Sequence, residues 1–167
     1  YNSAFVNNWA KGHGGGIFLE NAIFYNNTVA HNYTDGMYQW SNSGGGNNLE
    51  MYNCLFYGNQ NKAIGSSAVG TLKDFHNCYI QTASNLDDGV LNHIKKSSLN
   101  NHYGTALANP FSAGGSYATD GSINLRLLGS SSCVNGGWNN PVNSKNETID
   151  LPNTDADFTD RIQDCTV

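Results

Sequence analysis

The chain has 167 residues, of which 26 are Asn and 19 are Gly, while 38% are hydrophobic and only 13% are charged. It is too apolar and aromatic for a disordered segment, too rich in weak helix formers for a helical protein, and without the run of about 18 apolar residues that a membrane span needs. The net charge of −5 argues against a nucleic-acid-binding surface, so a turn-rich, mostly β domain remains.

A seven-residue motif recurs along residues 1–84 and predicts the fold of this region. Residues 2–8 read NSAFVNN, residues 21–27 read NAIFYNN and residues 53–59 read NCLFYGN, and a degenerate copy, NCYIQTA, occupies residues 77–83. A repeat on the order of 20 residues is typical of one coil of a parallel β-solenoid, in which short strands alternate with bends. The motif therefore predicts stacked β-coils, with a β-sandwich of irregular strand spacing as the alternative.

Asn residues at fixed positions of the motif are expected at the corners between strands. Asn tolerates the left-handed backbone conformation, and its side-chain amide can bond the same residue on the next coil. The leading Asn of each copy is predicted to belong to such a ladder: Asn2, Asn21, Asn53 and Asn77. The closing Asn is expected at the next corner: Asn8, Asn27 and Asn59. Between the corners, small and large side chains are predicted to alternate inward: Ser3 and Phe5, Ala22 and Phe24, Cys54 and Phe56, Cys78 and Ile80.

Residues 31–46 lengthen the second repeat as an insertion and hold the candidate ligand site. A strand is predicted over Met37–Trp40, followed by an exposed loop rich in Gly and Ser. Aromatic rings beside amide and carboxylate groups suit sugar binding, because rings stack on the apolar faces of a sugar and polar groups bond its hydroxyls. The residues predicted to contact a ligand are Tyr33, Tyr38, Trp40, His31 and Asp35. Alternatively, Trp40 belongs to the core, because half of the residues in a strand face inward.

The second half of the chain differs from the coils. Residues 85–108 carry apolar residues near helical spacing after two early Asp residues, which indicates a short helix or an irregular excursion. Residues 109–167 are rich in loops, with one strand predicted over Ile123–Leu128, and are expected to cap the last coil. Such a cap is needed because the end of a solenoid exposes unpaired backbone and core side chains.

The four cysteines do not indicate a metal centre. Their spacing matches no compact zinc motif and the five His are unclustered, so neither a metal site nor a cofactor is predicted. Cys54 and Cys78 lie in the coils and are expected to be small buried residues. Cys133 and Cys165 lie in polar, loop-like sequence, where a disulfide between them would suit an exported protein.

A polysaccharide-cleaving enzyme is the main catalytic alternative for a β-helix. Polygalacturonase-like hydrolases use Asn-Thr-Asp, Asp-Asp and Gly-His-Gly in that chain order, whereas here the same strings run in reverse, at 12–14, 87–88 and 153–155. Acid and base must lie about 5 to 10 Å apart to act on one bond, which such scattered positions do not favour. A lyase would need a carboxylate cluster for calcium and a basic residue, and the acidic residues of the coils share no register. No catalytic residue is therefore predicted.

Three stretches of the coils resemble a class of bacterial surface proteins. Gly-Gly-Gly-Ile at 14–17 is followed by Phe-x-x-Asn at 24–27 and again at 56–59. This pattern is similar to the repeats of polymorphic outer-membrane proteins and related right-handed parallel β-helix proteins. The resemblance implies that the predicted coils wind with a right hand.

The C-terminal third resembles the choice-of-anchor Q type of surface domain. The similar stretches are Asn109-Pro110-Phe111, Leu125-Arg126-Leu127, GSSSCVNGG at 129–137 and TDADFTDRI at 154–162. The chain departs from that pattern at Ser132, Asn135 and Thr159, where Pro, Asp and Gly are usual. Such domains are common at the end of β-helix proteins, which implies an anchoring role rather than a reaction.

The expected protein is a non-catalytic module of an exported bacterial protein, displayed at the cell surface and forming one piece of a larger or processed chain. Its expected partner is a polysaccharide or another surface protein, with no nucleic acid and no transmembrane segment. The alternatives are a part of a polysaccharide-degrading lyase or glycoside hydrolase, and a structural subunit of an outer-membrane complex.

Overall fold

The computed structural model describes residues 1–40, 48–67, 72–84, 86, 88–94, 101–111, 125, 127–128, 130–131 and 148. Short strands alternate with corners along these ranges. In chain order they are β1 (Ala4–Val6), β2 (Ile17–Leu19), β3 (Ala22–Tyr25), β4 (Thr28–Ala30), β5 (Met37–Gln39), β6 (Leu49–Tyr52), β7 (Leu55–Tyr57), β8 (Ile64–Ser66), β9 (Leu72–His76), β10 (Tyr79–Gln81) and β11 (His102–Gly104). The helix α1 (Asp88–Ile94) lies between β10 and β11.

The strands pair in parallel into three sheets that together make a β-solenoid. The first sheet has the order β1-β4-β7-β10-β11, the second β2-β5-β8 and the third β3-β6-β9. Ala4 pairs with Thr28, Thr28 with Leu55 and Leu55 with Tyr79, so successive coils take 24, 27 and 24 residues. The parallel pairing confirms the predicted all-β parallel β-helix, and the β-sandwich alternative is wrong.

The coils are aligned differently from the sequence motif. Residues 21–27 belong to β3 in the third sheet, whereas the counterpart of residues 2–8 in the first sheet is the stretch 26–32, which reads NNTVAHN. Each coil contains three short strands, and the motif matched side chains from two different strands of a coil. Backbone pairing fixes the true register, because parallel strands must present N–H and C=O groups to each other along their whole length.

Asn side chains form a ladder at the corner before the first sheet. The Asn26 amide donates to Oδ1 of Asn2 over 3.1 Å, and the Asn53 amide donates to Oδ1 of Asn26 over 3.1 Å. These residues and Asn77 have φ between 49° and 55°, in the left-handed region that Asn tolerates. Asn21, predicted in this ladder, lies at another corner, where its Oδ1 accepts from the backbone N–H of Asn48 over 2.7 Å.

A second Asn ladder follows the first sheet, and it is more deeply buried. The Asn8 amide donates to Oδ1 of Asn32 over 3.1 Å, and the Asn32 amide donates to Oδ1 of Asn59 over 2.9 Å. Asn32 and Asn59 also donate to backbone carbonyls on the preceding coil, over 3.0 Å each. The predicted middle residue of this ladder, Asn27, is wrong. Asn32 takes that position, because backbone pairing aligns residues 2–8 with residues 26–32. The Asn-to-Asn bonds of this ladder are donated toward the following coil, and those of the first ladder toward the preceding one.

Matching apolar positions on successive coils fill the interior. Phe56 and Ile80 pair in register in the first sheet, Met37 and Ile64 pair in the second, and all four side chains are fully buried. Met37 belongs to β5, so the N-terminal half of the predicted insertion 31–46 forms a regular part of the second coil; residues 41–46 lie outside the described ranges. The interior is thus a set of side-chain columns that run from coil to coil.

Helix α1 closes the interior at the later coils. It packs against β8 and β9, and its residues Val90 and Ile94 are buried in the same apolar cluster as the coils. This accounts for the helical spacing noted within residues 85–108, where β11 also adds a strand to the first sheet. Among the residues described, no helix combines the length and apolarity that crossing a bilayer requires.

Part of the predicted C-terminal cap lies against the outer face of the first sheet. Phe111 is buried beside Tyr79 and forms an antiparallel bridge with Leu127, inside the strand predicted over Ile123–Leu128. The Tyr79 hydroxyl donates to the carbonyl of Ala108. Cys133 and Cys165, with their predicted disulfide, lie outside the described residues.

Cys54 and Cys78 are buried free thiols inside the coils, as expected for small core residues. Burial raises the pKa of the Cys78 thiol well above its usual value, because the charged thiolate would be desolvated. The protonated thiol is within reach of the His76 carbonyl, 3.4 Å away. A structural role in packing follows for both residues.

Replacing Asn26 by Ala is expected to lower the free energy of unfolding by about 3 kcal/mol. The change removes two ladder bonds of about 1 kcal/mol each and replaces a residue that tolerates the left-handed conformation by one that does not, which costs about 1 kcal/mol. Asn26→Gly, the matched control, removes the bonds but adopts this φ freely, so it should recover about 1 kcal/mol. Urea denaturation of the three proteins measures both contributions, and equal losses for Ala and Gly would contradict the role of the backbone conformation.

Candidate functional site

The outer face of the second sheet carries a row of aromatic side chains. Phe18 on β2 pairs in register with Tyr38 on β5, and Trp40 follows β5 directly. Alternation along the strands turns Phe18 and Tyr38 away from the core, which takes Ile17 and Met37 instead. Phe18 is 58% exposed and Trp40 is 41% exposed, whereas Tyr38 is half-buried, so the aromatic row is open to solvent at Phe18 and Trp40.

The rings of the aromatic row lie nearly parallel to one another. The Phe18 and Tyr38 ring centroids are 5.9 Å apart with planes at 15°, and the Phe18 and Trp40 centroids are 6.4 Å apart with planes at 26°. The backbone N–H of Trp40 donates to the Leu19 carbonyl over 2.8 Å, which continues the pairing past the end of the strand. The row is therefore built on paired backbone, a rigid support for exposed rings.

Gly65 occupies the position after Tyr38 in the same column on β8. A Cβ at this position would lie 2.7 Å from Cδ2 of Tyr38, closer than real contacts allow. The absence of a side chain therefore makes room for the Tyr38 ring beside the third coil. Gly65 sets where the ring lies, although it presents no chemistry of its own.

His13 extends the row at the corner that precedes β2. Its imidazole stacks on Tyr38, with ring centroids 4.1 Å apart and planes at 18°. Its Nδ1 lies 3.1 Å from Oδ2 of Asp35, and the His13 side chain is 58% exposed whereas that of Asp35 is 2% exposed. A solvent-facing imidazole is thus held between an aromatic ring and a buried carboxylate.

Asp35 is fixed by groups from the next coil. Its Oδ1 accepts from the Asn61 side-chain amide over 2.8 Å and from the backbone N–H of Lys62 over 3.3 Å. A buried carboxylate is costly unless such donors replace its water. His13, Asp35 and Asn61 come from three successive coils, so stacking of the coils assembles this cluster.

The third sheet provides a comparison that separates stacking from exposure. Tyr25, Tyr52 and His76 also stack along successive coils, with centroids 5.2 and 5.0 Å apart. Tyr52 is fully buried, and its hydroxyl donates to Glu50 over 2.9 Å. That column is a packing feature, whereas the aromatic row of the second sheet combines stacking with open access.

Three of the five residues predicted to bind a ligand lie in this site: Tyr38, Trp40 and Asp35. Tyr33 is exposed at the same corner as Asp35, and its backbone N–H donates to the Asn8 carbonyl over 2.9 Å. Asp35 acts as a buried support instead of an exposed contact. Trp40 lies at the surface and outside the core.

His31 lies outside the site, on the other side of the corner. Its ring is 5.9 Å from Tyr57 and 6.3 Å from Phe111, beneath the C-terminal segment that covers the first sheet. A Cβ at Gly58 would lie 2.7 Å from the His31 ring. Nε2 of His31 is buried without a hydrogen-bond partner, and burial lowers the pKa of His31 because the charged imidazolium would be desolvated.

His13 and Phe18 complete the site, and the sequence patterns did not select them as ligand contacts. Phe18 and Tyr38 are 20 residues apart in the sequence, whereas paired residues of β1 and β4 are 24 residues apart. A search for one constant repeat length would therefore not place the two rings side by side. The Gly-rich corner at 12–16 changes the coil length locally, so no constant period aligns the two rings. Within the described part of the chain, no group of three or more His, Cys, Asp or Glu side chains could hold a metal ion.

No family model, curated protein or solved structure matches the chain. The likeness to polymorphic outer-membrane proteins and to choice-of-anchor domains therefore rests on the sequence motifs alone. The fold and the geometry of the aromatic row carry the functional argument.

The neutral His31 is expected to make the protein less stable in acid. Its pKa is lowered in the folded chain, so below about pH 6.5 the unfolded chain binds a proton that the folded chain does not. The folded protein therefore keeps its full stability above that pH, and it loses stability as the pH falls toward the lowered pKa of His31. His31→Asn, which matches Asn7 at the equivalent corner with its φ of 56°, should flatten this part of the pH profile. Melting temperatures from pH 8 to pH 5 provide the measurement, and an unchanged slope in the variant would contradict the assignment.

Proposed function

We propose that this chain is a non-catalytic carbohydrate-binding module whose ligand lies on the aromatic row of Phe18, Tyr38 and Trp40. The observation that carries the proposal is the exposure of near-parallel rings on a rigid sheet face. Exposed apolar side chains gathered on one surface commonly mark a binding site. Sugars fit such a surface, because their C–H faces pack on aromatic rings while their hydroxyls remain available to polar neighbours.

The polar surroundings of the row favour a weakly charged glycan. The buried carboxylate of the site, Asp35, already bonds His13 and Asn61. A second carboxylate, the exposed Glu20, directly follows Leu19, whose carbonyl accepts from the backbone N–H of Trp40. The whole chain carries a net charge of −5, which disfavours strongly anionic polymers at long range. Neutral polysaccharides are therefore the proposed ligand class.

The cellular setting of the proposal comes from sequence resemblance. Repeats similar to those of polymorphic outer-membrane proteins and a tail similar to the choice-of-anchor Q type support an exported module at the bacterial surface. A disulfide between Cys133 and Cys165 would agree with that compartment. In this setting the module would bind a glycan at the cell surface. The alternative is a structural subunit that binds another surface protein.

A polysaccharide-degrading enzyme is the second candidate, and one observation favours it. The His13–Asp35 pair resembles the base and its orienting carboxylate in acid–base catalysis, with Nδ1 and Oδ2 3.1 Å apart. Catalysis would further require a second acid or a nucleophile within reach of the same bond. Release of new reducing or unsaturated ends from a polysaccharide, abolished by His13→Gln, would favour the enzyme over the binding module.

Glycan binding should be lost stepwise when the row is dismantled. Tyr38→Ala and Trp40→Ala are each expected to weaken binding about tenfold, which corresponds to 1.4 kcal/mol of stacking and apolar contact. Affinity electrophoresis against xylan, mannan and a soluble β-glucan, with alginate and polygalacturonate as acidic comparisons, measures the effect. Tyr103→Ala is the matched control, because Tyr103 is 37% exposed but lies on β11 in the first sheet. Equal losses in Tyr103→Ala, or unaltered binding in the two row variants, would contradict the proposed surface.

A second variant alters the position of one ring and leaves every aromatic side chain in place. Gly65→Ala should weaken glycan binding about threefold to tenfold, because the new methyl group displaces the Tyr38 ring. The φ of Gly65 lies outside the left-handed region, so the backbone tolerates Ala. The ring resonances of Tyr38 in NMR spectra report the displacement. Wild-type affinity despite a displaced ring would show that Tyr38 makes no ligand contact.

A further inference from the structure

We infer that Nε2 of the neutral His13 accepts a hydrogen bond from a hydroxyl of the bound sugar, and that Asp35 is the positioning residue that fixes the tautomer and the orientation of the ring. The inference rests on the proposed function and adds a chemical requirement to it. The ligand must carry a free hydroxyl at the edge of the face that packs on the aromatic row. Glycans whose hydroxyls are blocked would then bind poorly even if their apolar faces were intact.

The contact between His13 and Asp35 determines which imidazole nitrogen can accept. An ionised carboxylate only accepts hydrogen bonds, so Nδ1 of His13, 3.1 Å from Oδ2, must carry the proton of that bond. In the neutral ring Nε2 then keeps its lone pair. The imidazole is mostly exposed, so this acceptor is available to a ligand at the end of the aromatic row.

The ring is oriented by two independent contacts. Stacking on Tyr38 at 4.1 Å and 18° fixes the plane of the imidazole, and the bond to Asp35 fixes its rotation within that plane. Asp35 is itself held by Asn61 and by the backbone of Lys62, so the orientation is transmitted from the third coil. A side chain held in advance loses little freedom on binding, which is the condition under which one hydrogen bond adds to affinity.

The position of the acceptor next to the Tyr38 ring fits the chemistry of a sugar. A pyranose presents apolar C–H groups on its face and hydroxyls around its edge, so a sugar packed on the exposed Phe18 ring places edge hydroxyls toward His13 at the end of the aromatic row. An aromatic ligand without hydroxyls would use the stack alone. The pair therefore separates hydroxyl-bearing sugars from other flat apolar molecules.

Two substitutions of His13 separate the acceptor from the ring. His13→Phe keeps a ring for stacking on Tyr38 but has no acceptor, and His13→Gln keeps an amide that can donate to Asp35 and accept from a ligand. With cellohexaose, xylohexaose and mannohexaose as probes in isothermal titration calorimetry, His13→Phe should bind about fivefold more weakly than wild type, the equivalent of one hydrogen bond. His13→Gln should recover part of that loss.

The decisive readout compares each hexaose with its O-methylated form, because a purely structural role of His13 would not alter the penalty for methylation. In wild type, methylation should weaken binding at least fivefold, and in His13→Phe the penalty should shrink by about that factor. Melting temperatures of both variants check that the corner remains folded. If wild type binds a hexaose and the methylation penalty is the same in His13→Phe as in wild type, His13 is not the acceptor and the inference is overturned. If wild type binds none of the hexaoses and none of the polysaccharides, the proposed function itself fails.

Discussion

The stacking of Asn side chains at the corners is the interaction on which the rest of the molecule depends. Each corner before the first sheet turns through a left-handed residue, and the amide of that residue bonds its counterpart on the neighbouring coil, as Asn26 does with Asn2 and Asn53. The corners therefore coincide from coil to coil, which brings the strands between them into register. That register places Phe18 above Tyr38 and His13 within reach of Asp35, so the geometry of the surface follows from the geometry of the corners.

The fold was predictable from the sequence because the corners leave a visible pattern, an Asn followed by alternating small and large residues. Its register was not, because each coil contains three similar strands and side-chain similarity alone paired residues 21–27 with the wrong one. The site was predictable to the same degree. Tyr38, Trp40 and Asp35 lie in one short stretch of polar and aromatic residues, whereas His13 and Phe18 join them only through coils of unequal length. The hydrogen bond between His13 and Asp35 spans 22 residues, and no local pattern encodes such a contact.

The three outer faces of the solenoid have different roles. The C-terminal segment around Phe111 covers the first sheet, and the stack of Tyr25, Tyr52 and His76 on the third sheet includes a fully buried ring. The second sheet presents two exposed rings, Phe18 and Trp40, that lie nearly parallel to each other, whereas the exposed ring of Tyr103 lies on the last strand of the first sheet. The proposed site thus lies on a face where apolar surface is uncovered, next to the polar cluster of His13, Asp35 and Asn61. Burial elsewhere makes that exposure meaningful as a sign of function.

The two Asn ladders donate in opposite directions along the solenoid, one toward earlier coils and one toward later coils. A row of aligned amides sums its dipoles, as the peptide groups of an α-helix do, and leaves partial charges at its two ends. Here the Asn-to-Asn bonds of the two rows run in opposite directions, so the dipoles of the two rows oppose each other. Adding a coil with an Asn at both corners would lengthen both rows together and preserve this opposition.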